Sequence, residues 1–193
     1  METAMRYEQP YIETSSGKKV HFLEPDPDSI DIEDIAYALS HIPRFNGHTS
    51  KFVSVAEHCW SGARYIQSDL KLQMLLHDAA EAYLCDIPKP LKEFLPDYRK
   101  IEDNMMATIS KKFGFDFPLS PVVKHYDIAL LSNDAHWLLP SRGNDWSLWK
   151  TVKRPTICPE FKPLCLDSGT ARRVFLDLYY DLCGTKAPSR KAA

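Results

Sequence analysis

The sequence predicts an all-α fold, a single helical domain preceded by a small N-terminal β-hairpin. Apolar residues recur at helical spacing in one window after another, Pro and Gly punctuate those windows, and strand never alternates with helix. The length of 193 residues suits one domain with an ample buried core. Residues 1–30 read as the arm and hairpin, 31–184 as the helical domain and 185–193 as a frayed tail.

In the arm, "YIETSSGKKVHFL" sets two short β-prone runs around the turn signal Ser15-Ser16-Gly17. Asp28 or Ser29 then caps a first helix through about Ile42, with Ile32, Ile35, Ala36 and Leu39 on one stripe, and Pro43 ends it. After the loop "RFNGHTS", a second helix over 50–67 takes Phe52, Val55, Ala56, Cys59 and Ala63 inward. A third over 69–84 is broken by Pro88 and Pro90 in "DIPKPLK". A fourth spans 96–113 and stops at Gly114; a fifth spans 120–140, with proline in its first turn and at its close. Residues 141–166, with Trp146, Trp149 and three prolines, read as an irregular packed segment. The last helix, 168–184, buries Ala171, Val174, Phe175, Leu178 and Leu182.

A net charge of −2 lacks the basic field that drives binding to long nucleic acid. Five cysteines, widely spaced and without a CxxC pair, fit buried thiols in a reducing compartment. No signal-type stretch and no apolar run of about 18 residues occurs, so the expectation is a cytoplasmic protein that does not engage a membrane.

Chemistry concentrates in "LLHDAAEAYLCDIPKPLK", where polar residues interrupt an apolar helix. On a helix, His77 and Asp78 stand about 100° apart and Glu81 follows one turn on, so the three share a broad face. His58 lies nineteen positions before His77, a separation that suits two antiparallel helices facing each other. Two neutral imidazoles and a carboxylate suit a borderline divalent metal such as Zn, Mn, Fe or Co. The fifth helix offers a fourth ligand, Asp127 or Asp134, with His125 and His136 as further nitrogen donors. The two aspartates are seven apart, and spacing does not separate them. Four protein ligands leave coordination positions for water and substrate, as a catalytic site requires.

"SVAEH", "LLHDAAEAYLCDIPKPLK" and "VVKHYD" resemble the H…HD…D signature of the HD-domain metal-dependent phosphohydrolases. The arm "PDPDSIDIEDIAYALSHIPRFNGHT" is similar to the start of their small members. These include bacterial deoxynucleoside 5'-monophosphatases and bacteriophage dATP triphosphohydrolases. The likeness covers roughly residues 20–140.

The resemblance implies that Asp127 is the fourth ligand beside His58, His77 and Asp78. It implies that Glu81 orients or deprotonates the attacking water, so that Asp78 and Glu81 carry catalysis. Arg44, fourteen residues before His58, matches a phosphate-gripping arginine, a role that suits a guanidinium. Phe45 takes the place of an aromatic residue, usually tryptophan, that packs on the sugar. Asp86 and Lys89 match a polar loop beside the phosphates. The cofactor implied is a divalent ion, Zn, Mn or Co, with Mg as a second ion. The partner is a small nucleotide.

The function implied first is a dATP triphosphohydrolase, and second a deoxynucleoside 5'-monophosphatase of broad base specificity. The reading from another class is a non-catalytic, metal-containing nucleotide sensor, against which the presence of Arg44 and Glu81 speaks. Trp137, Trp146, Trp149, Tyr179 and Tyr180 read either as core or as the face of a homo-oligomer.

Overall fold

The computed structural model describes residues 10–185, so the expected tail lies outside the described residues apart from Thr185. Strand β1 (Tyr11–Glu13) pairs antiparallel with β2 (Lys19–His21), with Ile12 opposite the fully buried Val20. One side chain ties the turn to the domain. The Asp34 carboxylate accepts from Thr14 Oγ1 at 2.8 Å, from Ser15 Oγ at 2.7 Å, and from Ser16 N and Oγ at 2.9 and 2.6 Å. Burial pushes the pKa of Asp34 up, but these donors more than reverse it and hold the group below its ordinary value.

Helix α1 (Ile32–His41) starts later than expected. Ile30 is extended, so Pro27–Ser29 closes as a separate 3-10 turn capped by Asp26, and the cap of α1 is Asp31, which accepts the Glu33 N–H. Helix α2 (Val55–Tyr65) also starts later, at the Ser54 cap, because residues 43–54 form a closed loop. Arg44 N–H donates to the Val53 carbonyl at 2.8 Å and Val55 N–H to the Ile42 carbonyl at 3.0 Å. Phe52, expected to point inward, therefore lies outside the helix and is 43% exposed.

The expected third helix is interrupted. Helix α3 (Lys71–Leu75) and helix α4 (Glu81–Leu84) flank a tighter turn over 76–80, in which Ala79 N–H reaches Leu76 O and Glu81 N–H reaches Asp78 O, each at 3.0 Å. The departure starts at Leu76, whose backbone (φ −107°, ψ 11°) has left helical geometry. Cys85, at φ +69°, ends α4, and the one-turn helix α5 (Lys89–Lys92) follows Pro88.

The later helices follow their sequence signals closely. Helix α6 (Pro96–Phe113) ends at Gly114, whose φ of +74° is the left-handed conformation that glycine adopts without penalty. Helix α7 (Pro121–Leu138) begins at the Ser120 cap, and helix α8 (Ser168–Cys183) at Asp167, which accepts the Thr170 N–H. Helix α8 packs across α1, α2 and α3, burying Ala171, Phe175 and Leu176 completely or nearly so, while Val174, Leu178 and Leu182 are half-buried. Full burial of a side chain such as Phe175 contributes about 1.5–3 kcal/mol. No described helix is long and apolar enough to cross a membrane.

Gly62 sets how closely α2 approaches its neighbours. A Cβ there would stand 2.4 Å from Met74 Cε and 2.8 Å from Leu130 Cδ1, so the missing side chain lets α2 sit against both α3 and α7. The segment after α7 is irregular, as expected, and is held by side chains. Arg154 donates to Ser132 Oγ, Asn144 Oδ1 and the Arg142 carbonyl, and Trp149 Nε1 donates to the Gly143 carbonyl. Among the late aromatics, Trp146 stacks on Trp149, Trp137 is 38% exposed under the Lys162 ammonium, and Tyr179 and Tyr180 are half-buried.

Candidate metal centre

Helices α2 and α7 and the turn between α3 and α4 bring His58, His77, Asp78 and Asp127 to one point. Asp127 Oδ1 lies 3.3 Å from His58 Nε2 and 3.7 Å from His77 Nε2; Asp78 Oδ2 lies 3.2 Å from His77 Nε2 and 3.8 Å from His58 Nε2. The four donors thus form a ring whose sides run from 3.2 to 3.8 Å. Donors held about 2.0–2.2 Å from a shared cation stand about 3.0–3.5 Å from their neighbours, so the ring is close to the size such an ion needs. The imidazole side chains are 0% and 4% exposed, those of Asp78 and Asp127 19% and 38%; the ring is closed behind the histidines and open beside the carboxylates.

Both imidazoles present the same nitrogen because the other is engaged. Nδ1 of His77 is 2.7 Å from the Met74 carbonyl, and Nδ1 of His58 is 3.1 Å from Asp134 Oδ2. Each of these oxygens can only accept, so in the neutral imidazole Nδ1 carries the proton and Nε2 keeps a lone pair for an ion; with no ion between them, a second proton on His58 Nε2 would meet Asp127 at 3.3 Å. His77 Nε2 is buried without a hydrogen-bond partner among the described residues, facing two carboxylate oxygens. That juxtaposition repels unless positive charge stands within it. Burial opposes charging of His77, yet Asp78 and Asp127 raise its pKa well above the ordinary value; for His58, burial and Arg44 oppose the charge and Asp127 and Asp134 raise the pKa. Against the push of burial, His77 holds Asp78 down at about 2, and the two histidines hold Asp127 well below its usual range. Two imidazole nitrogens and two carboxylate oxygens around an unpartnered nitrogen fit a borderline divalent ion.

Asp134, two turns after Asp127 on the same helix, therefore stands behind His58 rather than in the ring. It belongs to a run of buried polar residues: Ser132 accepts from Arg154, Asn133 accepts the Cys158 N–H, and Asp134 accepts from His58. Of the other donors on α7, His125 is exposed and His136 packs edge-on against Trp137; neither joins the ring.

Arg44 is buried beside the ring, 3.9 Å from Asp78, 3.7 Å from Asp86 and 3.7 Å from Asp134. These are ion-pair distances, and its Nε has no hydrogen-bond partner among the described residues. The next residues, Phe45 and Asn46, adopt left-handed backbone (φ 53° and 52°), a conformation that costs a bulky residue about 1–3 kcal/mol. The Phe45 ring lies 5.6 Å from the Arg44 guanidinium and 6.0 Å from the Trp146 ring.

Glu81 is buried one residue past the tight turn, with Oε2 unpartnered. Burial, then Asp78 and Asp86, raise its pKa well above the ordinary value, and Lys92 and Arg44 pull the other way. Burial likewise raises Asp86 against the pull of Arg44. The lysine near this pair is Lys92 rather than Lys89. Lys89 is exposed, whereas Lys92 Nζ stands 3.6 Å from Glu81 Oε1 and 2.5 Å from Glu102 Oε1. Lys89 and Lys92 stand three apart, near one face of the one-turn helix, and the sequence around either lysine does not say which one reaches Glu81.

Sequence reasoning missed Glu57, the residue before His58. Its carboxylate accepts the backbone N–H groups of Leu164 at 2.7 Å, Cys165 at 2.9 Å and Leu166 at 2.7 Å, clamping the chain that leads into α8 against α2. Ser54 and Glu57 have the spacing of a capping box, and Ser54 Oγ does accept the Glu57 N–H. The glutamate, however, turns away to the distant segment. A shallow cleft of about 530 Å³ next to that segment, between Lys51, Phe52 and residues 165–168, contains none of the ring residues.

The fold and the ring define an all-α protein with a buried His/Asp centre able to hold a cation. No family model matches the chain. It is 36% identical over 172 residues to Uncharacterized protein YfdR of Escherichia coli (strain K12), a match covering 89% of this chain and 95% of that protein, and it belongs to the YfdR family. An uncharacterized protein of Rhodobacter capsulatus is 34% identical over 119 residues, covering 56% of this chain and 61% of its own length.

Proposed function

We propose that the protein is an HD-type, metal-dependent nucleotide phosphohydrolase, and that it hydrolyses a deoxynucleoside triphosphate, dATP foremost, to the nucleoside and tripolyphosphate. The observation that carries the reading is the convergence of four metal-competent donors on one point, with His77 Nε2 bare and buried among them. His58, His77, Asp78 and Asp127 would hold the ion. A divalent ion supplies Lewis acidity, polarising a phosphoryl oxygen and making a water easier to deprotonate.

The chain's own groups supply the rest. Arg44, whose carboxylate neighbours stand at ion-pair rather than hydrogen-bond distance, has guanidinium donors to offer phosphoryl oxygens. Glu81, buried with Oε2 unpartnered, accepts the proton of the attacking water. Attack at the α-phosphorus breaks its bond to O5', which takes up a proton, and the water oxygen remains on the departing tripolyphosphate. Asp86 and Lys92 set the charge around Glu81, and Phe45 supplies an apolar face beside Arg44.

The test is incubation of protein loaded with Mn2+, Co2+ or Zn2+ with each dNTP and dNMP, with the products resolved by ion-exchange chromatography. Deoxyadenosine and tripolyphosphate from dATP is the result expected. Phosphate released from monophosphates alone would replace the triphosphohydrolase with a 5'-monophosphatase. Metal binding with no turnover of any nucleotide would leave a nucleotide sensor and overturn the enzyme reading.

A further inference from the structure

We propose that Cys59, His77 and Asp78 form a second cation site, selective for a thiophilic ion, which shares His77 and Asp78 with the first and therefore competes with it. One ligand atom from each of these three residues lies within 4.8 Å of the others, just as the donors of His58, His77 and Asp127 do. Cys59 follows His58 on α2, about 100° further round the helix, so the two side chains address His77 from adjacent directions. The thiol is fully buried and free of any disulfide. His77 Nε2, buried and without a hydrogen-bond partner, lies 3.2 Å from the Asp78 oxygen that completes the set.

The two donor sets differ in chemistry. His58, His77 and Asp127 offer nitrogen and oxygen to a borderline ion, while Cys59 replaces one donor with sulfur, which favours soft ions such as Cd2+. On binding, the thiol gives its proton to solvent and sulfur becomes a ligand. Because His77 and Asp78 serve both sets, a soft ion on Cys59 displaces a harder one from its neighbours. A buried cysteine that merely fills space as a small apolar group would do none of this.

The proposal rests on the centre binding cations and not on the choice of nucleotide. Titration of the full chain with Cd2+ should produce the ultraviolet sulfur-to-metal charge-transfer absorption and release bound Mn2+, read by its electron paramagnetic resonance. Both effects should be lost in Cys59→Ser, with Mn2+ still bound and the circular dichroism unchanged. The absorption should also be lost in His77→Gln, which retains all five thiols. An absorption that survives Cys59→Ser comes from another cysteine and overturns the proposal. Cd2+ that displaces Mn2+ without the absorption overturns it too, leaving the first site intact. Failure to bind either ion removes both sites.

Discussion

His58 divides its two ring nitrogens between two aspartates of the same helix, Nδ1 at 3.1 Å from Asp134 and Nε2 at 3.3 Å from Asp127. The seven-residue spacing of those aspartates places one behind the imidazole and one in front. Asp134→Asn removes the anion that fixes the tautomer, and the expected outcome is a loss of about 10–100-fold in metal affinity with the fold retained. Calorimetric titration with Mn2+ or Co2+ checks it. Unchanged affinity would show that the Nδ1 contact does not govern the ligand.

Asp78 borders both histidines and Arg44. Asp78→Ala should abolish metal binding and hydrolysis together, measured by metal analysis after dialysis and by product release. An active variant without metal would contradict the centre.

Glu81 stands outside the ring, so Glu81→Ala should retain the metal and lower kcat by about 10²–10⁴-fold, the usual worth of a positioned proton acceptor. Turnover at the wild-type rate would take it out of the mechanism.

Glu57 receives three backbone N–H groups from residues 164–166. Glu57→Ala leaves those part-buried donors without their acceptor, and the expected cost is about 1–3 kcal/mol, read from the urea midpoint at constant m-value. A midpoint matching the wild type would mean that the segment finds other partners.

Asp34 supplies a pH dependence whose sign follows from its lowered pKa. A carboxylate with a folded pKa below its unfolded value stabilises fully above the unfolded value of 3.8 and loses that contribution as pH falls through the lower folded value. The melting temperature of the wild type should therefore exceed that of Asp34→Asn at neutral pH, and the gap should close as the pH falls below 3.8. A gap independent of pH would assign the effect to shape rather than charge.

Several elements were legible because their signals are local. The Ser15-Ser16-Gly17 turn, Pro121 and Gly114 act within a few residues of themselves, and the hairpin, α6 and α7 lie where those residues put them. The break between α3 and α4 was not legible. Leu72, Met74, Leu75, Leu76, Ala79 and Ala80 keep apolar residues on both sides of the break, and no proline or glycine marks residue 76. The turn there lets His77 Nδ1 reach the Met74 carbonyl while Nε2 enters the ring.

By itself the sequence determined the helical class, most helix ends, and the residue types from which a cation site could be assembled. Only the tertiary structure decided which groups meet. The contacts that separate Asp127 from Asp134 span 69 and 76 residues, and those that occupy Glu57 span 107 to 109. No periodicity of two or 3.6 residues carries information over such distances. They depend on how closely α2, α3 and α7 approach, a spacing set by packing at Gly62, Met74 and Leu130.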